Sequence, residues 1–239
     1  RPHGRPGHCG HDTGHGVNGQ QQMIGIHSAG IRRIPALGHF LPQAFCPLSL
    51  SRQPAAGLSA VAVWGHRPTA VRPVAWAARH GLPVLRLEDG FIRSLGLGVS
   101  GEPPLSMVVD TLGIYYDARQ TSTLEQLIQE RSTDPALMDA ARQAMAFIVE
   151  QDISKYNQAP PFNGRAPENG AVLVVDQTFG DMAVTFGQAG EDHFTAMLQA
   201  AMDEHPEAEI WVKIHPDVLS GKKRGYLGKQ ALYAAAHDK

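Results

Sequence analysis

Three stretches of the chain place chemically useful side chains at the ends of apolar runs. In LPVLRLEDG the run closes on Glu88, Asp89 and Gly90, and in AVLVVDQTFGD it closes on Asp176 and Gln177. Open α/β sheets bind ligands outside the carboxyl ends of their strands, so an acid there is held at the mouth of a site. VKIHPD makes a third such end. Pro216 keeps His215 extended, and Lys213 lies two residues back on the same strand face, a pair suited to neutralising a phosphate. Arg93 and Ser94, just past the first acids, offer a bidentate guanidinium and a hydroxyl suited to a substrate carboxylate. Each feature also has a plainer reading: a solvated loop for Glu88 and Asp89, an N-cap or turn for Asp176, a His-Pro turn for His215.

A competing signal sits close by. GLGVSG, Gly96 to Gly101, spells the G-x-G-x-x-G of a dinucleotide cradle. That cradle needs a strand directly before it and a helix directly after it, whose N-terminus holds the pyrophosphate. Here Pro103 and Pro104 follow and block a regular helix interior. The stretch reads instead as a flexible loop whose glycines supply tight turns.

The elements that must position these groups follow an α/β rhythm. MIGIHSAG reads as a strand entering a small-residue turn, and AVAVWGH at 60–66 as a strand buried on both faces. RPVAWAARHG reads as a short helix stopped by Gly81, and LPVLRLEDG as the next strand. Asp134 and Pro135 predict the start of a helix along which Leu137, Ala141, Ala144 and Ile148 recur at helical spacing. NQAPPFNGRAPENG, at 157–170, reads as a linker. Beyond it come a strand at AVLVVD, an amphipathic helix over 191–204 and a strand at AEIWVKI. Strand–helix–strand alternation implies parallel sheets. The expected organisation is a tail or non-native leader over 1–22, one Rossmann-like unit over 23–156, the linker, and an incomplete second unit over 171–239.

With 43% hydrophobic residues in 239, the chain can build a packed core, and a net charge of −2 gives no reason to expect nucleic acid. No apolar run approaches the ~18 residues of a membrane span. Cys9 and Cys46 lack metal-ligand spacing, so a disulfide framework is not expected and a cytoplasmic setting is the default. Residues 1–22 carry four of the twelve histidines, yet no pattern there would pre-organise metal ligands, and no metal site is expected.

Taken in order, IGIHSAGIRRIP, VWGHRP, RLEDGFIRSLGLG, PPLSMVVDTLGIYYDA, SKYN, VLVVDQTFGDM and IWVKIHPDVLSGKKRGYL resemble the KpsC-type capsule polysaccharide proteins, retaining β-Kdo glycosyltransferases. The resemblance runs from about Met23 to Leu227. It implies a GT-B-like fold of two Rossmann-type domains, the second truncated here. It also implies CMP-Kdo as donor, a lysophosphatidylglycerol-type lipid acceptor, capsule assembly and export machinery as partners, and no cofactor. By motif match, Asp176 is the expected nucleophile, Glu88 the acid/base with Asp89 as its substitute, and His215–Pro216 with Lys213 the CMP-phosphate site. Gly90 and Gln177 join the expected substrate-binding set. The Kdo carboxylate role for Arg93 and Ser94 comes from their chemistry and not from the resemblance. Because members of that family continue well past the HPD block, this length of chain is expected to have little or no activity. Two rivals stand beside this reading: transfer from a UDP- or GDP-sugar, and a non-catalytic role in capsule assembly or export. GKKRGYLGK is basic enough to touch anionic lipid, so peripheral contact with the membrane is a further expectation, with a solvated loop as its alternative.

Overall fold

The computed structural model describes residues 22–96, 101–158, 164, 165, 167 and 170–228. Its first unit is a five-stranded sheet built from β1 (Met23–Ile26), β2 (Ala44–Pro47), β3 (Leu58–Trp64), β4 (Val84–Asp89) and β5 (Met107–Asp110), in the spatial order β2-β1-β3-β4-β5. Strand β3 shows why this sheet is buried on both faces. Its Ala60 and Ala62 pack with Ile24, Ile26, Leu85 and Leu87 on one side. Its Val61 and Val63 pack with Leu48, Trp76 and Ala77 on the other. A run without polar alternation can sit only where both faces are covered. On the first face the cover is α1 (Ala29–Arg32) and α2 (Leu37–Phe40), through Ile31 and Leu37. On the second it is α3 (Val71–Arg79), which buries Trp76 and Ala77 and ends before Gly81, where φ is +63°.

Strands β1 to β4 are parallel, as expected, but β5 runs antiparallel to β4. A parallel neighbour requires a crossover, usually helical. The segment after β4 contains Pro103 and Pro104 and forms no helix among its described residues, so the chain doubles back. The helix required of a dinucleotide cradle is therefore missing after Gly101. Residues 97–100 of GLGVSG lie outside the described residues.

After β5, buried Asp110 accepts hydrogen bonds from the backbone of Leu112, Gly113 and Thr123 and from the Thr123 hydroxyl. It thereby fixes the start of α4 (Thr123–Arg131), which Ser122 and Glu125 close with a reciprocal capping box. Helix α5 (Pro135–Glu150) begins with Asp134 accepting from the Ala136 and Leu137 amides. Its expected apolar stripe is present, yet no α5 residue is buried, because neither sheet's core reaches it.

The second unit pairs β6 (Val172–Val175) with β7 (Ile210–Lys213) in parallel, Val175 opposite Lys213. One face packs on α6 (Met182–Phe186) and α7 (Glu191–Glu204) through Val174, Val184, Phe194 and Leu198. Leu173 on the other face is 59% exposed. The two units touch at Phe186. The His66 ring stacks on it with centroids 3.8 Å apart and planes 10° from parallel, and Ala118 N–H donates to its carbonyl at 3.0 Å. Arg119 lies over the same ring at 4.3 Å.

Buried against this ring, His66 is held below its ordinary pKa; desolvation is the main cause, with Arg86 adding to it against the pull of Asp117. Arg119 holds Asp117 down at about 2.

Leu87→Ala is expected to cost about 2–5 kcal/mol in urea unfolding, whereas Val149→Ser on uncovered α5 is expected to stay within about 0.5 kcal/mol. For His66, the folded chain binds its proton less readily than the unfolded chain does. Stability should therefore be full above the unfolded value of about 6.5 and fall as pH drops through and below it. His66→Phe keeps the stack without the titration, so its melting temperature should fall less than the parent's between about pH 7.5 and 5.5.

Candidate active site

Glu88 and Asp89 are the last residues of β4, at the carboxyl end of the sheet as expected. One Glu88 oxygen, Oε1, is held by two donors: the Trp64 indole Nε1–H from neighbouring β3 at 2.8 Å and the Asp89 backbone N–H at 3.1 Å. Burial raises the Glu88 carboxyl above the ordinary range, and these two donors only partly oppose it. Its Oε2 faces the Cα of Gly65, where an added Cβ would stand 2.9 Å from Oε2 and 2.1 Å from the Tyr116 hydroxyl. At this strand end only a glycine, here at φ +40°, lets the backbone pass.

Asp89 turns the other way and accepts from Arg93 Nε at 2.8 Å. Arg93 is almost fully buried; its Nη1 also donates to Ser94 Oγ at 2.8 Å and to the Glu102 carbonyl at 3.1 Å. Ser94 Oγ in turn donates to the Gly96 carbonyl at 2.7 Å. The structure thus gives Arg93 and Ser94 internal partners, and the guanidinium expected to meet a substrate carboxylate meets that of Asp89. SKYN lies against the same loop: Arg93 N–H donates to the Lys155 carbonyl at 3.0 Å, and Asn157 N–H to the Leu95 carbonyl at 2.7 Å. Gly90 is buried against Ser106, into whose backbone and side chain a Cβ would collide. Close packing against Ser106 is by itself enough to require a glycine there.

In the second unit Asp176 directly follows β6, and its N–H donates to the Lys213 carbonyl at the end of β7 at 2.9 Å. The side chain is 3% exposed. Its Oδ1 accepts from the Tyr226 and Leu227 amides, both at 3.1 Å, while buried Oδ2 has no hydrogen-bond partner. Gly225 closes over Oδ2: a Cβ there would stand 2.2 Å from it. Gln177 is half-buried and takes the Tyr226 N–H on its backbone carbonyl at 3.2 Å. His215 is the N-cap of a short helix, α8 (Pro216–Leu219), its Nδ1 accepting from the Asp217 N–H at 3.1 Å. Lys213 is exposed beside it at the same sheet edge.

Asp176, Gln177, Lys213 and His215 therefore share one edge of the second sheet, and Glu88 with Asp89 sits at the corresponding edge of the first. An open cleft of about 460 Å³, lined by Tyr115, Asp117, Arg119, Gln120 and Glu125, includes none of these acids. No group of residues able to hold a metal ion occurs among the described residues, and no described helix is long and apolar enough to cross a membrane. Of the basic residues after α8, Lys223 lies 3.8 Å from Asp217 and Arg224 lies 3.3 Å from Glu191 and over the Phe179 ring. Sequence reading did not find Trp64, Tyr116 or the His66–Phe186 contact; an indole one residue before a strand-end glycine was the available signal.

The geometry has close counterparts. The chain is 50% identical over 208 residues to the capsule polysaccharide modification protein LipA of Neisseria meningitidis serogroup A, covering 84% of this chain and 29% of that protein. It is 38% identical over 156 residues to the lipopolysaccharide-processing protein LpsZ of Rhizobium meliloti, covering 63% of this chain and 36% of that one. It therefore spans about a third or less of the length of these curated relatives. Among solved structures, the beta Kdo 2,4 transferase of Thermosulfurimonas dismutans KpsC superposes with a TM-score of 0.78 at 44% identity, covering 87% of this chain and 65% of that one. The beta Kdo 2,7 transferase of the same KpsC superposes with a TM-score of 0.54 at 25% identity, covering 82% and 62%. Residues 59–170 and 164–237 match the model of one family. With that match spanning most of its length, the chain belongs to the capsule polysaccharide biosynthesis protein family.

Proposed function

We propose that this chain carries the catalytic acids of a retaining β-Kdo transferase that moves Kdo from CMP-Kdo to a lysophosphatidylglycerol-type lipid acceptor during capsule assembly. One observation carries the reading. Glu88 and Asp176 each stand at the carboxyl end of a parallel-paired strand in successive α/β units of a fold close to that of a beta Kdo 2,4 transferase. Two displacements at one carbon retain configuration, and they need a nucleophile and an acid/base.

In the first displacement Asp176 forms a bond from a carboxylate oxygen to the anomeric carbon of Kdo. The bond from that carbon to the CMP phosphate oxygen breaks, and its electron pair leaves with CMP. Oδ2 suits this step because Oδ1 is already engaged by two amides, which leaves Oδ2's lone pairs unused. The Gly225–Leu227 segment must withdraw for the donor to reach it. Lys213 and His215 stand at the same edge to offset the charge arriving on CMP, an electrostatic role needing no metal. In the second displacement Glu88 takes the proton of an acceptor hydroxyl, whose oxygen attacks the same carbon and expels Asp176. A carboxyl raised by burial above its ordinary range takes up a proton more readily than an exposed one, as a general base must. The chain would act at the cytoplasmic face of the membrane, alongside the capsule export machinery.

The burial of Asp176 favours a second reading, in which it is a structural carboxylate fastening the Tyr226–Leu227 backbone. Intact-mass measurement of the full-length protein after incubation with CMP-Kdo separates the two. The transferase reading expects a gain of one Kdo residue that Asp176→Ala abolishes. CMP release without any adduct in either protein removes Asp176 from its role and leaves the transferase. Neither adduct nor release moves the reading to a binding role. Glu88→Gln should still form the adduct while lowering transfer to the acceptor by about 10²–10⁴-fold.

A further inference from the structure

We propose that Trp64 is the positioning residue for Glu88, its indole N–H fixing Oε1 so that Oε2 is the oxygen that takes the acceptor's proton. The proposal rests on the reading of Glu88 as the acid/base. Trp64 ends β3 and lies opposite Leu87, one residue short of Glu88, so the pairing register of the two central strands itself brings the indole to the carboxylate. Both donors, Trp64 Nε1–H and Asp89 N–H, converge on Oε1, and among the described residues none donates a hydrogen bond to Oε2. A carboxylate whose oxygens are this unequal has one anchored atom and one reactive atom.

The surroundings hold the indole in turn. Arg67, three residues on, places its guanidinium over the Trp64 ring at 5.4 Å, and its N–H closes the turn to the Trp64 carbonyl at 3.2 Å. The turn between them contains Gly65, whose Cα forms the wall beside Oε2. Tyr116 completes that wall, its hydroxyl accepting from the His66 N–H at 3.0 Å. A tryptophan present only for packing has no need to aim its single polar atom at a half-buried acid.

The charged and titratable groups around Glu88 set how its protonation should respond. Asp89 raises its pKa and Arg67 lowers it, while Tyr115, Tyr116 and Tyr156 each feel the Glu88 charge in return. Trp64 stabilises the ionised form by donating to it, so removing the donor must raise the Glu88 pKa further.

The test is a pH titration of the ¹³C-labelled, ¹⁵N-labelled chain by NMR. Its tryptophans number three, so the indole N–H signals are readily separated. The expected result is that the Trp64 indole signal moves with the same midpoint as the Glu88 carboxyl carbon and stops moving in Glu88→Gln. In Trp64→Phe the Glu88 midpoint should move to higher pH. An indole signal that ignores Glu88 would overturn the proposal, as would an unmoved Glu88 midpoint in a folded Trp64→Phe. If that variant fails to fold, the titration of the unaltered chain decides. Transfer from CMP-Kdo by a full-length protein carrying these residues separates this inference from the reading beneath it. There Trp64→Phe should move the acid limb of the pH–rate profile to higher pH. Unchanged transfer by Glu88→Gln would remove the acid/base assignment and leave only the indole–carboxylate pair.

Discussion

A carboxylate at the end of a covered strand must find donors or remain in water, and the structure is organised by how it meets that demand at Glu88 and Asp176. Leaving a buried carboxylate oxygen unpaired costs free energy comparable to a lost charged hydrogen bond. Glu88 is served from within its sheet, by the indole of the next strand and its own following amide. Asp176 is served from outside its sheet, by two successive amides of a segment that folds back over β6, and one of its oxygens is left unserved. In both places a glycine, Gly65 or Gly225, lets a backbone approach the second oxygen more closely than any Cβ would allow. The two acids therefore share a plan but differ in state: Glu88 is half-open with one free oxygen, and Asp176 is sealed with one orphaned oxygen.

The loop after β4 shows how one ion pair assembles pieces of sequence that look unrelated. Asp89 draws Arg93 inward, and the arginine's remaining N–H groups then tie Ser94 and the Glu102 carbonyl. Residues 93–95 in turn present the carbonyls and amides to which Lys155 and Asn157 bind. RLEDGFIRSL and SKYN, some sixty residues apart, are thus two sides of one contact, cemented by Asn157 Nδ2 donating to the Ser94 carbonyl at 3.2 Å. A guanidinium buried with a carboxylate is costly to extract, because both charges would lose their partner. Arg93 is accordingly a support for Asp89 in this state of the loop.

Much of the frame was legible in the sequence. Strands β3 and β6 announced themselves as apolar runs, although β6 is covered on one face only; Asp134 with Pro135 marked the start of α5, and the prolines after Gly101 ruled out a cradle helix. The strand-end positions of Glu88 and Asp176 followed from those same runs. What escaped was set by pairing. Strand β5 is four residues long, and its antiparallel direction depends on a loop closing through Gly90 and Ser106. The Trp64–Glu88 contact depends on the register of two strands, which neither stretch encodes separately. The stripe on α5 satisfied the helical period, yet periodicity reports only that a face is apolar and not that something covers it. The partners of Arg93 were hidden for the same reason, since a carbonyl nine residues away in sequence leaves no trace in composition.

The position of Phe186 separates two motions that a transferase of this architecture would use. The two units meet through its ring and carbonyl, against His66, Ala118 and Arg119. The cover over Asp176 comes from Gly225 to Leu227, within the second unit, and Tyr226 is itself part of that unit's core, stacked on Phe194 with centroids 4.4 Å apart. Uncovering Asp176 therefore disturbs packing inside one unit, whereas moving Glu88 relative to Asp176 disturbs a stack between units. The inter-unit contact is small and partly polar, the kind that permits relative motion. The intra-unit contact costs a buried aromatic pair, worth more than its area suggests. Domain motion without the exposure of Asp176 is thus the easier of the two, and uncovering the Asp176 carboxylate, rather than approach of the units, is the costlier rearrangement.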